Sequence, residues 1–205
     1  ASSSSWAAMD YSHDLNFLKA GSHTHIAGID EAGRGALAGP LVVAAVILDY
    51  EKPISGLNDS KQLSASIRDK LYEKIVDSAI AFSIIEVSAA RVDEINILQA
   101  SLEGFVKAFA ALSPRADFAL IDGRDVPSAM SGKALAIVKG DGKHPCIAAA
   151  SILAKVHRDR LLTKLDTRYP EYGFARHKGY GTAQHYRALA TFGACIEHRR
   201  TYRLF

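Results

Sequence analysis

The sequence predicts a single α/β domain that continues into a helical region at its C-terminal end. Apolar runs of strand length alternate with segments whose apolar residues recur at helical spacing. No internal repeat appears, and no linker separates two cores. The chain has 205 residues, of which 48% are hydrophobic and 23% charged, as is usual for one globular unit. This composition excludes a disordered chain, and no apolar run approaches the roughly 20 residues needed to span a bilayer.

Five short apolar segments are predicted as strands. The second is a near-continuous run of β-branched and other apolar residues, and a glycine-rich connection separates it from the first. The fourth and fifth are short and end at glycines or turn residues. In chain order, the predicted strands are residues 26–31, residues 41–50, Ile80–Val87, Phe118–Ile121 and Leu135–Val138.

Four segments are predicted as helices. The first begins after a candidate N-cap, Ser64, and carries apolar residues at every fourth position. The second has the clearest apolar stripe and stops before Pro114, whereas Gly193 follows the last one. The predicted helices are Ser64–Ser78, Arg91–Leu112, Ile147 to about Arg168, and Thr182–Phe192.

The first 24 residues are predicted to form a tail in front of a domain that spans residues 25–205. Residues 1–8 have neither the basic nor the apolar part of a secretory signal, and because Met9 is internal we interpret them as added during cloning. The chain has two cysteines, which make no disulfide framework and fit a reducing cytosol. We therefore expect a cytoplasmic protein without membrane association, and a monomer.

The charge is divided unequally along the chain. Residues 1–138 hold 12 basic and 17 acidic side chains, a balance of −5, whereas residues 139–205 hold 13 basic and 5 acidic ones, a balance of +8. A basic C-terminal third is suited to a phosphate backbone, whose counterions it displaces. A solvated face with a surplus of basic residues explains the same numbers, so charge alone leaves both interpretations open.

Four acidic residues follow predicted strands at a glycine or turn. Asp30 and Glu31 close the first strand, Asp122 the fourth and Asp141 the fifth. Each alone is typical of a turn at a strand end. Sites of α/β proteins gather at strand ends, and carboxylates that cluster there repel one another unless they bind cations or become protonated. Because Mg²⁺ prefers oxygen ligands, the four together predict a divalent metal site.

Two neighbouring acids on a regular strand face opposite sides of the sheet. Asp30 and Glu31 therefore share a site only at a bulge or a strand end. Gly33, Arg34 and Gly35 follow directly. Glycines allow backbone N–H groups to approach a ligand closely, and arginine offers a planar fork suited to phosphate. The tripeptide alone is a weak signal, and its position beside the paired acids gives it weight.

These residues, together with seven further motifs in the same order, resemble the bacterial ribonuclease HII family. The resemblance covers about residues 25–202, nearly the whole chain, and several long motifs make it highly specific. The motifs are Ile29–Gly35, Gly39–Val42, Asn58–Leu63, Ile121–Gly123, Lys139–Asp141, Ala148–Val156, Arg158–Arg160 and His177–Thr182.

The resemblance implies an RNase H-like fold, a five-stranded mixed sheet flanked by helices with a C-terminal helical part. It implies endonucleolytic cleavage of RNA in RNA–DNA hybrids and of single ribonucleotides within duplex DNA, which leaves 3′-hydroxyl and 5′-phosphate ends. The metal-binding acids are then Asp30, Glu31, Asp122 and Asp141. They hold Mg²⁺ or Mn²⁺, one ion activating water and another stabilising the leaving 3′ oxygen.

The same resemblance implies how the substrate is bound. Gly33, Arg34 and Gly35 meet the 2′-hydroxyl mainly through backbone groups, which distinguishes RNA from DNA. Tyr180 packs on the sugar or base at the RNA–DNA junction. Phosphate contacts are expected from Lys61, Ser151 and Lys155. The chain departs from the family pattern at Gln62, where a second lysine is frequent, and at Thr201–Tyr202, where Ser-Phe is frequent.

Other interpretations remain. A non-catalytic hybrid-binding protein of this fold requires a missing acid, and all four are present. Ribonuclease HIII shares the active-site motifs, but its members carry a sizeable N-terminal domain, whereas about 25 residues precede Ile26. A DNA resolvase or transposase has no reason to carry a loop for a 2′-hydroxyl. Asp159 is expected to form a salt bridge rather than bind metal. The C-terminal Tyr202–Phe205 faintly resembles peptides that dock on sliding clamps, but a frayed or core-docked tail is the favoured interpretation.

Overall fold

The computed structural model describes residues 9–20 and 23–205. The interpretation of residues 1–8 as a cloning remnant lies outside the described residues. The strands are β1 (Ile26–Ala32), β2 (Leu41–Ile47), β3 (Ala81–Val87), β4 (Phe118–Asp122) and β5 (Ala134–Ile137). The helices are α1 (Ser12–Ala20), α2 (Ala65–Ser78), α3 (Ala89–Ile95), α4 (Ile97–Ala110), α5 (Pro145–Arg168), α6 (Phe174–His177) and α7 (Ala183–Phe192).

The five strands form one mixed sheet in the order β3-β2-β1-β4-β5. The pairs β3–β2 and β2–β1 are antiparallel, whereas β1–β4 and β4–β5 are parallel. The predicted five-stranded mixed sheet is therefore confirmed. Because β1 and β4 are parallel neighbours, the residues that follow them emerge at the same edge of the sheet.

Helices cover both faces of the sheet. Buried residues of α2 and α5 pack on one face, together with side chains such as Ile26 and Leu120, and those of α3 and α4 pack on the other with Ile29 and Ile121. The closest approach is at Gly28 in β1, where a β-carbon would lie 2.1 Å from the carbonyl carbon of Cys146 in α5. Glycine at this position lets α5 lie directly on the central strand.

The C-terminal region forms a third apolar cluster beside the sheet. It joins the last half of α5 to α6, α7 and the end of the chain, with Leu162, Phe174 and Leu204 buried. The predicted C-terminal helical extension is therefore present. Within the described parts of the chain, no helix has the length and apolar character needed to cross a membrane.

The predicted helix Arg91–Leu112 is wrong in one respect, because the structure has two helices there. Asn96 lies between them with a φ angle of 71° and a ψ angle of 167°, a backbone conformation that residues other than glycine rarely adopt. Its side chain accepts a hydrogen bond from the backbone N–H of Gln99 at 2.9 Å, so it caps α4. The apolar stripe continues across this break, and periodicity alone did not reveal it.

Helix α1 was not predicted, and it packs on the domain. Its Asp14 is fully buried. The carboxylate accepts hydrogen bonds from the Tyr50 hydroxyl at 2.7 Å and from the backbone N–H of Cys146 at 2.9 Å, and it lies 2.8 Å from Nδ1 of His144. Residues 12–20, which the sequence placed in a tail, are thus anchored at the N-terminus of α5.

Candidate active site

All eleven residues selected from the sequence line one cleft of about 370 Å³. The cleft lies at the edge of the sheet where β1 and β4 end. The loop after β1, the segment before α2, helix α5 and the segment before α7 form the rest of its wall. The eleven are Asp30, Glu31, Gly33, Arg34, Gly35, Lys61, Asp122, Asp141, Ser151, Lys155 and Tyr180, and Ala32 and Ser60 also line it.

Three of the four acids lie together. Asp30, Asp122 and Asp141 each present a carboxylate oxygen, and these atoms lie within 4.8 Å of one another. The backbone N–H of Asp141 donates to Oδ1 of Asp122 at 3.3 Å, which ties the two loops together. The prediction that Asp141 closes the fifth strand is wrong in detail. β5 ends at Ile137, and Asp141 lies in a 3-10 turn, Gly140–Gly142, which brings it back toward Asp122.

The fourth acid, Glu31, reaches the cleft from the other face of the sheet. The pairing of β1 with β4 ends at Ile29 and Ile121, so the last residues of β1 extend past its neighbour. The strand end, and not a bulge, therefore allows both acids to line one cleft. Oε1 of Glu31 lies 3.5 Å from Nη1 of Arg34, whereas Oε2 is buried and has no hydrogen-bond partner among the described residues.

Burial and mutual repulsion raise the pKa values of these acids. Burial is the main cause for Asp30, whose pKa lies well above its ordinary value, and the neighbouring Asp122 and Glu31 charges raise it further. Burial also raises the pKa of Glu31 to about 7, against the opposing effect of Arg34. The pKa of Asp141 rises to about 6 through burial and the charge of Asp122. Arg34 and Lys61 thus offset only part of the burial and repulsion that raise these pKa values.

A divalent cation fits this group of residues. Three clustered carboxylate oxygens and the unpartnered Oε2 of Glu31 offer hard oxygen ligands without a competing thiol or imidazole in the same cluster. Such ligands suit Mg²⁺ or Mn²⁺. A bound cation also supplies the positive charge that offsets their repulsion.

The glycine–arginine loop turns sharply over a buried arginine. Gly33 has a φ angle of +88°, and a β-carbon there would lie 2.0 Å from Nε of Arg158. Arg158 is itself buried, and its guanidinium donates to the backbone oxygens of Pro40, Ala38 and Lys178 at 2.7–2.9 Å. It thereby links the segment after the loop to the segment that leads into Tyr180.

The remaining selected residues surround the acids. Nζ of Lys155 lies 3.0 Å from Oδ1 of Asp159, which is the expected salt bridge. The hydroxyls of Ser151 and Ser60 lie 2.8 Å apart. The side chain of Lys61 is 77% exposed at the cleft rim. The Tyr180 ring is partly exposed and lies 5.3 Å from the guanidinium carbon of Arg158.

Sequence reasoning missed two residues that shape this cleft. The charge of Asp59 contributes to the raised pKa of Asp141, and Oδ2 of Asp59 lies 4.0 Å from Nζ of Lys61. It follows no strand, so the strand-end criterion could not find it. Arg158 lies in a quoted motif, but nothing in the sequence shows that its side chain turns inward.

Most of the chain is similar in sequence to one known protein family. A family model described as Ribonuclease HII matches residues 27–204. Ribonuclease HII 1 of Methylibium petroleiphilum is 57% identical over 176 residues, which cover 86% of this chain and 88% of that protein.

Two solved structures of other proteins are similar to this chain in fold. The ribonuclease H2 of Pyrococcus horikoshii has a TM-score of 0.73 and 32% identity, covering 88% of this chain and 95% of that chain. In the structure of the PCNA:RNase HII complex from Archaeoglobus fulgidus, the matching chain has a TM-score of 0.75 and 30% identity, covering 89% of this chain and 96% of that chain. The RNase H-like fold is therefore confirmed.

Proposed function

The chain belongs to the ribonuclease HII family of metal-dependent nucleases, and we propose that it cleaves both the RNA strand of RNA–DNA hybrids and single ribonucleotides within duplex DNA. One observation carries this proposal. The acids that suit a divalent metal and the loop that suits a sugar hydroxyl line the same cleft. A phosphodiester bond beside a ribose can therefore meet both at once.

Asp30, Glu31, Asp122 and Asp141 would hold the metal, either Mg²⁺ or Mn²⁺, with two ions present during catalysis. Bound ions supply an activated water and stabilise the leaving 3′ oxygen, so that the products carry 3′-hydroxyl and 5′-phosphate ends. The protein fixes the carboxylates in place before substrate arrives, since the backbone N–H groups of Glu31 and Asp141 hold the side chains of Asp30 and Asp122. Such preorganisation reduces rearrangement in the transition state.

The loop Gly33–Gly35 would recognise the 2′-hydroxyl. Its turn is closed by a weak hydrogen bond from Ala36 N–H to the Gly33 oxygen at 3.4 Å, and the glycines keep the backbone uncovered. Backbone groups that meet a hydroxyl distinguish ribose from deoxyribose, because a deoxynucleotide leaves them unpaired. Tyr180 would pack on the sugar or base next to it.

Phosphate groups on either side of the cut would be held by Lys61, Lys155 and Ser151. Lys61 is exposed at the rim, 4.0 Å from Oδ2 of Asp59, whereas Lys155 is held against Asp159 at 3.0 Å. Cations at these positions suit a polyanionic duplex and make binding dependent on salt. The proposed setting for such a reaction is the cytoplasm.

A sliding clamp is a further candidate partner, since the Archaeoglobus fulgidus structure is of a complex with PCNA. In this chain Leu204 is buried in the C-terminal cluster, whereas Phe205 is 78% exposed. For the tail to bind a clamp, either Phe205 makes the contact alone or Leu204 leaves the C-terminal cluster. Deletion of residues 204–205 should abolish retention on immobilised clamp if the tail is the contact.

The substrate class is tested with four labelled duplexes: an RNA–DNA hybrid, DNA with one ribonucleotide, all-RNA and all-DNA. Each is incubated with Mg²⁺, Mn²⁺ or EDTA. We expect metal-dependent cleavage of the first two and none of the all-DNA duplex. Cleavage of the hybrid alone would remove the single-ribonucleotide part of the proposal. Cleavage in EDTA would contradict the role of the acids.

A further inference from the structure

The carbonyl oxygen of Arg34, in the middle of the loop, is held from the interior. It accepts hydrogen bonds from Nη1 of Arg199 at 3.0 Å and from the hydroxyl of Tyr202 at 2.7 Å. These two donors are also 3.2 Å apart. Both come from the C-terminal end of the chain, more than 160 positions away.

Arg199 is a rigid support for this contact. It is fully buried, and its Nε and Nη2 both donate to the Gly39 oxygen at 3.2 and 3.1 Å. The backbone N–H of Arg199 donates to the Leu37 oxygen at 2.8 Å. The guanidinium lies 5.2 Å from the centre of the Tyr202 ring. The two side chains thus form one unit beneath the loop, which we name the Arg199–Tyr202 support.

The support fixes the direction of the next N–H group. In a trans peptide, the C=O and N–H groups point in opposite directions. Because the Arg34 oxygen points inward to the support, the Gly35 N–H points away from it. Across residues 9–20 and 23–205, no acceptor pairs with the Gly35 N–H, and a β-carbon at Gly35 would meet no atom within 4 Å. Gly35 also lines the cleft.

Without the support, this peptide has an alternative orientation. Arg34 and Gly35 are the central residues of the turn closed by Gly33 and Ala36. The two common turn types differ by a flip of the central peptide, and the flipped form requires a positive φ at the third residue, which glycine accepts without strain. Gly35 does not have a positive φ in the structure. The hydrogen bonds to the Arg34 oxygen therefore select one of two accessible orientations.

We propose that Arg199 and Tyr202 are positioning residues for ribose recognition, which hold the Gly35 N–H as a donor aimed at the 2′-hydroxyl. This inference rests on the proposed function. Arg199 provides one of the two bonds, and the Tyr202 hydroxyl adds a second at a position where the family resemblance leads us to expect phenylalanine. Loss of the hydroxyl should therefore weaken the preference for ribose without abolishing it.

The experiment compares two tyrosine-to-phenylalanine variants. Tyr202→Phe removes the hydroxyl that donates to the Arg34 oxygen and keeps the ring. Tyr172→Phe is the matched control, because the Tyr172 hydroxyl also donates to a backbone oxygen, that of Gly193, at 2.7 Å, and Tyr172 does not line the cleft. Both are made in an Asp122→Asn background with Mg²⁺. The dissociation constants are measured for a DNA duplex with one ribonucleotide and for the same all-DNA duplex.

The measured quantity is the ratio of the two dissociation constants. Tyr202→Phe should lower the preference for the ribonucleotide by about twofold to tenfold, which is the change in affinity that the loss of one hydrogen bond causes. Tyr172→Phe should leave the preference unchanged. Partial unfolding reduces binding to both duplexes equally and does not move this ratio. An unchanged ratio in Tyr202→Phe, or an equal fall in both variants, would overturn the inference. No preference in the parent protein would instead contradict the proposed function itself.

Discussion

At the scale of single residues, Asp122 connects the acids of the cleft. Its charge contributes to the raised pKa values of Asp30, Glu31 and Asp141. Its Oδ1 also accepts the backbone N–H of Asp141. A substitution that removes the charge of Asp122 but keeps an oxygen for the Asp141 N–H therefore tests the electrostatic role of the cluster without changing its shape.

We expect Asp122→Asn to reduce cleavage at least about a thousandfold, as the loss of several kcal/mol of transition-state stabilisation predicts. Asparagine keeps the size of the side chain and one oxygen that can accept the Asp141 N–H. Binding to an RNA–DNA hybrid should therefore change little. Single-turnover rates and dissociation constants measured on one hybrid test this. Binding lost in parallel with activity would argue that Asp122 supports the fold and not the metal.

The pH dependence of stability in the absence of metal follows from the same acids. A carboxyl whose pKa is raised on folding stabilises the protein below its unfolded pKa, and this stabilisation is lost as the pH rises through the folded value. For Asp141 and Glu31 those folded pKa values are about 6 and about 7. In EDTA, the contribution of the site to the melting temperature should thus fall between pH 5 and pH 8.

Other groups also titrate in this range, such as the buried His185 and His198, whose pKa values are lowered mainly by burial. Comparison of the parent with Asp122→Asn separates the effect of the acids on the melting temperature from the effect of these histidines. The variant should melt above the parent at pH 8 in EDTA, and the difference should shrink toward pH 5. Mn²⁺ should raise the melting temperature of the parent more at pH 8 than at pH 6. If the parent instead gains stability relative to the variant as the pH rises, the repulsion between the acids is refuted.

At the scale of elements, the contact between β1 and α5 determines the shape of the cleft. β1 carries two of the acids, and α5 carries Ser151 and Lys155. Gly28 makes their close approach possible. A wider spacing between these two elements would move the lysine and serine away from the acids.

Gly28→Ala should destabilise the protein by more than about 3 kcal/mol, at the upper end of single substitutions. The added carbon would lie 2.1 Å from the backbone carbonyl carbon of Cys146 and 2.4 Å from the backbone nitrogen of Ile147, and backbone atoms cannot move aside as a flexible side chain can. Gly142→Ala is the control, since a β-carbon there meets no atom within 4 Å. Urea denaturation compares the two. Similar midpoints would show that the strand and helix separate readily.

The sequence predicts helices and strands well where they follow from the local pattern of apolar residues. It predicts them less well where contacts between distant residues determine the structure. The strand-end pattern placed all four acids at one edge of the sheet. It placed Asp141 at the end of β5, because the turn that carries it back depends on a left-handed backbone at Lys139. The helix around Asp14 was missed since its partners, Tyr50, His144 and Cys146, lie more than 30 positions away.

At the scale of the whole molecule, the basic C-terminal third has two roles. Part of its surplus charge lies at the cleft, where Lys155 lines the wall. Another part is internal, because the buried Arg158 and Arg199 donate to backbone oxygens of the segment Arg34–Pro40. Burial lowers the pKa of Arg158 to about 10, so it remains charged at neutral pH. Net charge along the sequence could not distinguish these two roles.

This arrangement makes the cleft a joint product of the sheet and the C-terminal region. The acids come from the sheet edge, whereas the support beneath the loop and Tyr180 come from residues beyond α5. We therefore expect metal-dependent cleavage and ribose recognition to act on the same nucleotide.

Mapping the cut on a DNA duplex that holds one ribonucleotide tests this claim most directly. The strand is labelled at either end, and products are resolved to single nucleotides with Mg²⁺ or Mn²⁺ and with EDTA. We predict one metal-dependent cut at the 5′ side of the ribonucleotide, with a 3′-hydroxyl and a 5′-phosphate at the new ends. Metal-dependent cuts at deoxynucleotides distant from the ribose, or no cut in this duplex while a long hybrid is cleaved, would contradict it.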